Sequence, residues 1–221
     1  MNNLSIWLAV LTTVAMLLTY ELAQFILSRR NPASITRTAH ARLREQWFEA
    51  ISRQPNSEIL AVQALRNSLM SATMMASTAV LGLMGTVTLA APSLNATFSS
   101  SATGLPLLTP KMILELVLLA LLFASLIASA MSIRYYSHVS FISSIPVGSA
   151  ERERWMPIGL IYVRRAGIMY SHALRHLILV APLLASLLHP LAGPVVSAIV
   201  VALLYTIDRF DESQQQKQTG N

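Results

Sequence analysis

The sequence predicts an all-α, polytopic integral membrane protein of about five transmembrane helices, with one amphipathic helix at the cytoplasmic interface. Three observations lead there. Of 221 residues, 54% are hydrophobic and 12% charged, about half the charged share of an average soluble domain. Apolar runs at about 4–27, 67–91 and 111–133 each reach the roughly 20 residues needed to cross the hydrocarbon at about 1.5 Å rise per residue. Charge is also unevenly placed: residues 28–66 hold seven arginines, whereas residues 92–110 hold no charged residue at all.

That asymmetry sets an orientation. Short loops rich in Lys and Arg resist translocation and stay in the cytoplasm, while charge-free loops cross. The expected topology in the inner (plasma) membrane is N-terminus outside and C-terminus cytoplasmic. The formal charge of +6 fits retention at an anionic membrane surface better than nucleic acid, since few aromatics are interleaved with the arginines. The absence of cysteine excludes disulfides, thiolate metal sites and thiol catalysis.

The first span follows Met1-Asn2-Asn3, which has no basic region, and the run from Leu4 to Leu27 is too long for a signal-peptide core. It is expected to be retained, with Arg29 and Arg30 marking its cytoplasmic end. In the loop that follows, Ala39, Leu43, Trp47, Ala50 and Ile51 recur at helical spacing, with Arg42, Arg44, Glu45, Glu49 and Arg53 elsewhere on the wheel. Such a helix is expected to lie along the membrane; the alternative is packing on the protein's own cytoplasmic face. Pro55 ends it, and Asn56 or Ser57 can cap a helix that runs through Arg66 into the second span.

The outer segment from Pro92 to Pro110 is rich in Ser, Thr, Gly and Pro and is expected to be irregular. The sequon Asn95-Ala96-Thr97 within it reads as accidental in a bacterial protein. The last apolar region, about 168–207, is too long for one crossing. His189-Pro190-Leu191-Ala192-Gly193-Pro194 divides it into two helices joined by a tight turn. Residues 1–210 thus form a single helical membrane domain, and the Gln-rich stretch 211–221 is expected to be a disordered cytoplasmic tail. No internal repeat of the kind that marks many transporters is present.

Three segments also carry a family likeness: Ala61-Val62-Gln63-Ala64-Leu65-Arg66-Asn67 before a small-residue helix, Ser132-Ile133-Arg134, and Tyr205-Thr206-Ile207-Asp208-Arg209-Phe210. Together they resemble the bacterial and plant membrane proteins grouped as domain of unknown function 599. The likeness covers about residues 5–210 and is strongest from Gln63 to Thr78. It implies a polytopic membrane fold and supplies no catalytic residue.

Small residues at Ser68, Ala72, Ala76 and Ala79 on the second span, and at Ala120, Ala124, Ala128 and Ser132 on the third with Ser125 and Ser129 on the adjoining row, are read as helix-packing stripes. Backbones approach closely where side chains are small, and packing replaces the hydrophobic drive that lipid removes. Gln63, Arg66 and Asn67 are candidates for a clamp at the cytoplasmic mouth, with Glu21, Glu58 or Asp208 as partners of Arg66. A charge near the bilayer is costly unless paired or able to snorkel. The alternative role for the same residues is to hold an anionic ligand or headgroup.

His172 and His176 stand one helical turn apart and could reach one metal, with a third ligand from Glu21, His138 or Asp208. Arg175 between them and the absence of a zincin glutamate favour interfacial or hydrogen-bonding histidines instead. Met70 and Met74 offer soft copper ligands, though methionine more commonly fills gaps. Lys111 and Glu115 form an i to i+4 pair taken to mark the outer bilayer boundary. No nucleophile triad, phosphate loop or complete metal motif is present.

The expected function is therefore not enzymatic. The first reading is an integral membrane subunit without cofactor, assembling with itself or with a larger membrane complex in the lipid bilayer and binding no nucleic acid. The second is a small channel or transporter with a polar cavity on the cytoplasmic side, its substrate unknown. The third is a metal- or haem-binding protein using His172 and His176.

Overall fold

The computed structural model describes residues 2–30, 36–100 and 108–208. Among them every regular element is a helix: α1 (Asn3–Arg30), α2 (Thr36–Arg53), α3 (Glu58–Ser100), α4 (Pro110–Ser143), α5 (Ala150–Ile178), α6 (Val180–Leu188) and α7 (Ala192–Asp208). Four stretches are long and apolar enough to cross a membrane: Asn3–Leu27, Glu58–Ala96, Pro110–Ser143 and Ala150–Leu188. The last is α5 and α6 in continuation. Pro182 has no N–H to return to Ile178, which accounts for the break in the ladder at Leu179. The shorter apolar helix Ala192–Ile207 returns beside it, and the fold is that of a multi-pass α-helical membrane protein.

α4 lies at the centre and packs on α1, α3, α5 and α6, while α7 packs between α1 and α6. One core joins Val10, Leu17 and Tyr20 of α1 to Leu114, Leu118 and Leu122 of α4, with Leu179, Leu183 and Leu204 closing it. A second core lies at the arginine-rich end, where Phe48, Leu65, Tyr136, Val139, Ile142, Val163 and Ala166 meet. α4 and α5 run antiparallel with their backbones close: Ser125 Oγ donates to Ala173 O at 2.9 Å and Ser132 Oγ donates to Ala166 O at 3.0 Å. Such bonds replace water for a hydroxyl in lipid and contribute about 0.6 kcal/mol apiece.

The packed rows differ in part from the stripes read in the sequence. Ala72 and Ala79 of α3 and Ala128 of α4 are buried, Ser68, Ala76 and Ala124 are half-buried, and Ala120 faces outward. The row that meets α5 is Ser125, Ser129 and Ser132, all fully buried. The reason is geometric, since α4 must serve neighbours on several sides and its smallest polar row faces the closest one. We expect Ala72→Leu to cost about 1–3 kcal/mol by overpacking and Ala120→Leu to leave thermal stability within about 0.5 kcal/mol. Equal melting temperatures for the two variants would contradict this assignment.

The long helices extend beyond the apolar runs that mark the spans. The stretch from Pro92 to Ser100, read as irregular, continues α3; Pro92 sits inside the helix, where it forfeits one N–H and the rest of the ladder holds. Residues 101–107 of that segment, and 209–221 with the whole expected tail of 211–221, lie outside the described residues. At the other end the arginine-rich stretch after the third span is helical. α4 runs on to Ser143 and α5 begins at Ala150, with Ser149 capping by accepting from Arg152 N at 3.2 Å and Glu151 and Glu153 set in the positive first turn. Gly148, at φ +85, supplies the left-handed residue of the turn between them.

α2 forms as expected and packs on α5, but its buried face is rotated. Ala41, Phe48 and Ile51 are buried, whereas Leu43 and Ala50 point outward and Trp47 is half-buried. Phe48 decides the register. Its ring lies directly on Gly159, where an added Cβ would come within 2.7 Å of Cε1. Ser57 does not cap α3 with its side chain; its hydroxyl turns back to Ile51 O at 2.6 Å and Gln54 O at 2.7 Å, closing the end of α2. Asn56 takes the left-handed conformation at φ 63 that this reversal requires.

Candidate functional site

Two groups of polar residues are built into the fold, one between the spans and one at the arginine-rich end. Within the bilayer, α1 and α5 bring together Tyr20, Glu21, His172, Arg175 and His176. The imidazoles of His172 and His176 lie with ring centroids 6.2 Å apart, and His176 Nε2 faces Glu21 Oε1 at 4.0 Å. Arg175, only 4% exposed, stacks its guanidinium over the Tyr20 ring at 5.6 Å. Arg175 lies ten positions beyond Arg165, roughly 15 Å of helix, about half the hydrocarbon thickness. The cation–π contact and the acid beside His176 offset the cost of polar groups at that depth.

His138 is not part of this group. Its ring lies 5.7 Å from Tyr162, and Tyr162 is ten positions before His172 on α5, again roughly 15 Å. Among the described residues no cluster of three or more His, Cys, Asp or Glu could hold a metal ion. Met70 and Met74 both face outward.

The residues of the expected clamp are distributed over separate surfaces. Gln63, Arg66 and Asn67 are exposed on α3, and among the described residues Arg66 forms no ion pair. Glu21 faces α5 instead. Glu58 accepts from Val147 N at 2.9 Å, tying the start of α3 to the turn between α4 and α5. The Asp208 side chain lies outside the described residues.

The arginine-rich end is organised by Arg152, which is 3% exposed. Its Nη1 donates to Ile142 O at 2.7 Å and Ile145 O at 2.9 Å, and its Nη2 donates to Ser52 Oγ at 3.1 Å. One side chain thus donates to carbonyls at and just past the end of α4 and fastens α2 to them. Arg164 reaches Glu45 at 3.5 Å and ties α2 to α5 a second time. Grooves of about 450 Å³ and 690 Å³ flank α2, the first lined by Arg152, Glu153, Met156 and Pro157 and the second by Gln46, Ile161, Arg164 and Arg165.

Sequence reasoning did not single out Arg152 or Arg44, and it read Glu115 only as the partner of Lys111. Arg152 and Arg44 sit among other arginines with no pattern to single them out. Glu115 is fully buried: it accepts from Ser93 Oγ of α3, while Lys111 Nζ stands 3.7 Å away. The pair sits at a helix contact, and only the small polar side chain of Ser93, distant in sequence, could have hinted at it.

The family model described as protein of unknown function, DUF599, matches residues 8–213. No curated protein and no solved structure matches the chain.

Proposed function

The chain belongs to the DUF599 family of unknown function, and from that premise we propose that it is a non-catalytic membrane subunit that assembles through its spans and holds its basic end in the cytoplasm. The outward face of α3 carries this reading. Ser71, Thr78, Gly85 and Thr88 follow one another along it at helical spacing and all are exposed. A Cβ at Gly85 would meet nothing within 4 Å. Lipid tails gain little from small and hydroxylated positions, whereas a second helix can approach closely there. The spans also bury only 22% to 33% of their most apolar windows within the chain, which leaves room for further helices.

The partner favoured is a second copy, since one α3 stripe can pack on another about a two-fold axis. The cysteine-free chain makes the test direct. Thr78→Cys and Gly85→Cys should form disulfide-linked dimers on oxidation in native membranes, because a bridge requires Cα atoms within about 7 Å. Leu116→Cys, exposed on α4, should not. Monomer at all three positions would refute self-assembly through α3.

A second reading is supported by Glu21, His172, Arg175 and His176 gathered between the spans, since ionisable groups within spans commonly serve proton or ion passage. Proton flux in proteoliposomes that falls with Glu21→Gln would favour it. The metal reading has two imidazoles for support, and among the described residues no further ligand joins them to make the closed site that zinc requires.

A further inference from the structure

We propose that the chain binds a phosphate-type anion, in the form of an anionic lipid headgroup, in a pocket closed by Arg44 between α2 and the roots of α3, α4 and α5. The inference is independent of self-assembly. The pocket has a volume of about 240 Å³ and is lined by Arg44, Asn67, Ser68, Ser71, Tyr136 and Tyr170. A second cavity of about 190 Å³ adjoins it through Arg44, Ser68 and Tyr136. Every polar lining group carries a donor, with the Ser68 and Ser71 hydroxyls turned to Ala64 O at 3.4 Å and Asn67 O at 3.1 Å, and no carboxylate lines either space.

Arg44 is held in place. Its guanidinium lies against Gly167, where an added Cβ would collide with Nη1 and stand 3.0 Å from Cδ and Cζ. A glycine there is what lets the side chain reach inward from α2. The acids nearest in sequence are engaged elsewhere: Glu45 faces Arg164 and Glu49 faces Arg53. Among the described residues Arg44 forms no ion pair. A planar fork of donors beside hydroxyls and an amide matches the oxygens of a phosphate.

Position selects the source. Asn67 adjoins Arg66, Tyr136 lies two residues from Arg134 and Gly167 two residues from Arg165, so the pocket lies level with the arginines that bound the spans, within about 3 Å of helix rise. Headgroup phosphates occupy that level, and basic pockets between spans hold them on the cytoplasmic side. Neutralising Arg44 by an ion from outside the chain also removes the cost of leaving a half-buried guanidinium without a counter-charge.

The experiment is a titration of the full-length protein in mild detergent with phosphatidylglycerol, phosphatidylcholine or inorganic phosphate, read by thermal shift and by native mass spectrometry of bound lipid. Phosphatidylglycerol should bind and stabilise, phosphatidylcholine should not, and Arg44→Gln should weaken binding by about tenfold or more, as expected for losing a charged hydrogen-bond donor. Arg42→Gln, an equal change in charge on the exposed side of α2, should weaken it less than about twofold. If inorganic phosphate alone produces the Arg44-dependent shift, the anion site stands and its source is a soluble phosphate. Equal losses in the two arginine variants, or none in Arg44→Gln, would overturn the proposal. Should Arg44→Gln fail to fold, Tyr170→Phe decides, since removing one hydroxyl should weaken binding by about threefold and unchanged affinity would refute the site.

Discussion

Replacing Arg152 with alanine should unfold the arginine-rich end while the spans stay inserted. Three hydrogen bonds from the guanidinium disappear together, leaving Ile142 O, Ile145 O and Ser52 Oγ without this donor in a region where Arg152 is 3% exposed. Hydrogen bonds from a charged group contribute about 1.5–3 kcal/mol each in isolation. Because the bonds share one side chain and its desolvation cost, the net loss should be about 2–4 kcal/mol. Amide hydrogen exchange would show it as lost protection across α2 and residues 144–149. Arg152→Lys should recover little, since an ammonium cannot span carbonyls and hydroxyl in the same planar arrangement. Arg154, exposed on the same helix, provides the control: Arg154→Ala should leave exchange at α2 unchanged.

Gly193→Val should separate α7 from the rest of the bundle. An added Cβ at Gly193 would lie 2.7 Å from both Cβ and Oγ of Ser186 and would collide with Thr13 Oγ1. Thr13 and Ser186 are themselves buried, so neither can swing away freely. Valine adds two further methyl groups to that junction of α1, α6 and α7, and overpacking of this kind costs about 1–3 kcal/mol. The melting temperature in detergent should fall, and protease sensitivity should appear at the 189–191 turn. Gly85→Val is the informative contrast. With nothing near its Cβ, it should leave the folding stability of the single chain within about 0.5 kcal/mol of wild type while weakening association between copies.

The spans were legible because hydropathy reports them directly, and the turn at His189 to Pro194 was legible because proline and glycine admit few alternatives. What lay beyond the bilayer was harder to read. α4 and α5 extend past the last apolar run as amphipathic helices whose buried residues, Tyr136, Val139 and Ile142 on one and Val163 and Ala166 on the other, are interleaved with arginines that dominate a hydropathy window. The face of α2 was displaced for a related reason. Leu43 and Ala50 complete a plausible apolar stripe, but Gly159 leaves a ring-sized recess that only Phe48 fills, and recesses are properties of two helices at once.

The same distinction runs through the polar residues. His172 and His176 share a face at a spacing visible in the sequence, whereas the Glu21 opposite His176 depends on how α1 packs. Arg66 and Glu21 were joined by depth alone; depth does not fix azimuth, and α1 and α3 both pack on α4 without an extensive contact between themselves. Arg44 reaches its pocket only because residue 167 is glycine. Ser93 and Glu115 meet across α3 and α4 because α3 continues through Pro92 rather than ending there.

The central claim is that a multi-pass bundle holds its folded arginine-rich end in the cytoplasm and its opposite end outside, and single-cysteine labelling measures this most directly in a cysteine-free chain. Asn95 and Ser144 are both exposed, at opposite ends of the bundle. In intact cells, Asn95→Cys should react with a membrane-impermeant maleimide, and Ser144→Cys should react only after the membrane is opened, as the distribution of arginine requires. Labelling of Ser144→Cys in intact cells with protection of Asn95→Cys would invert the topology and contradict the account.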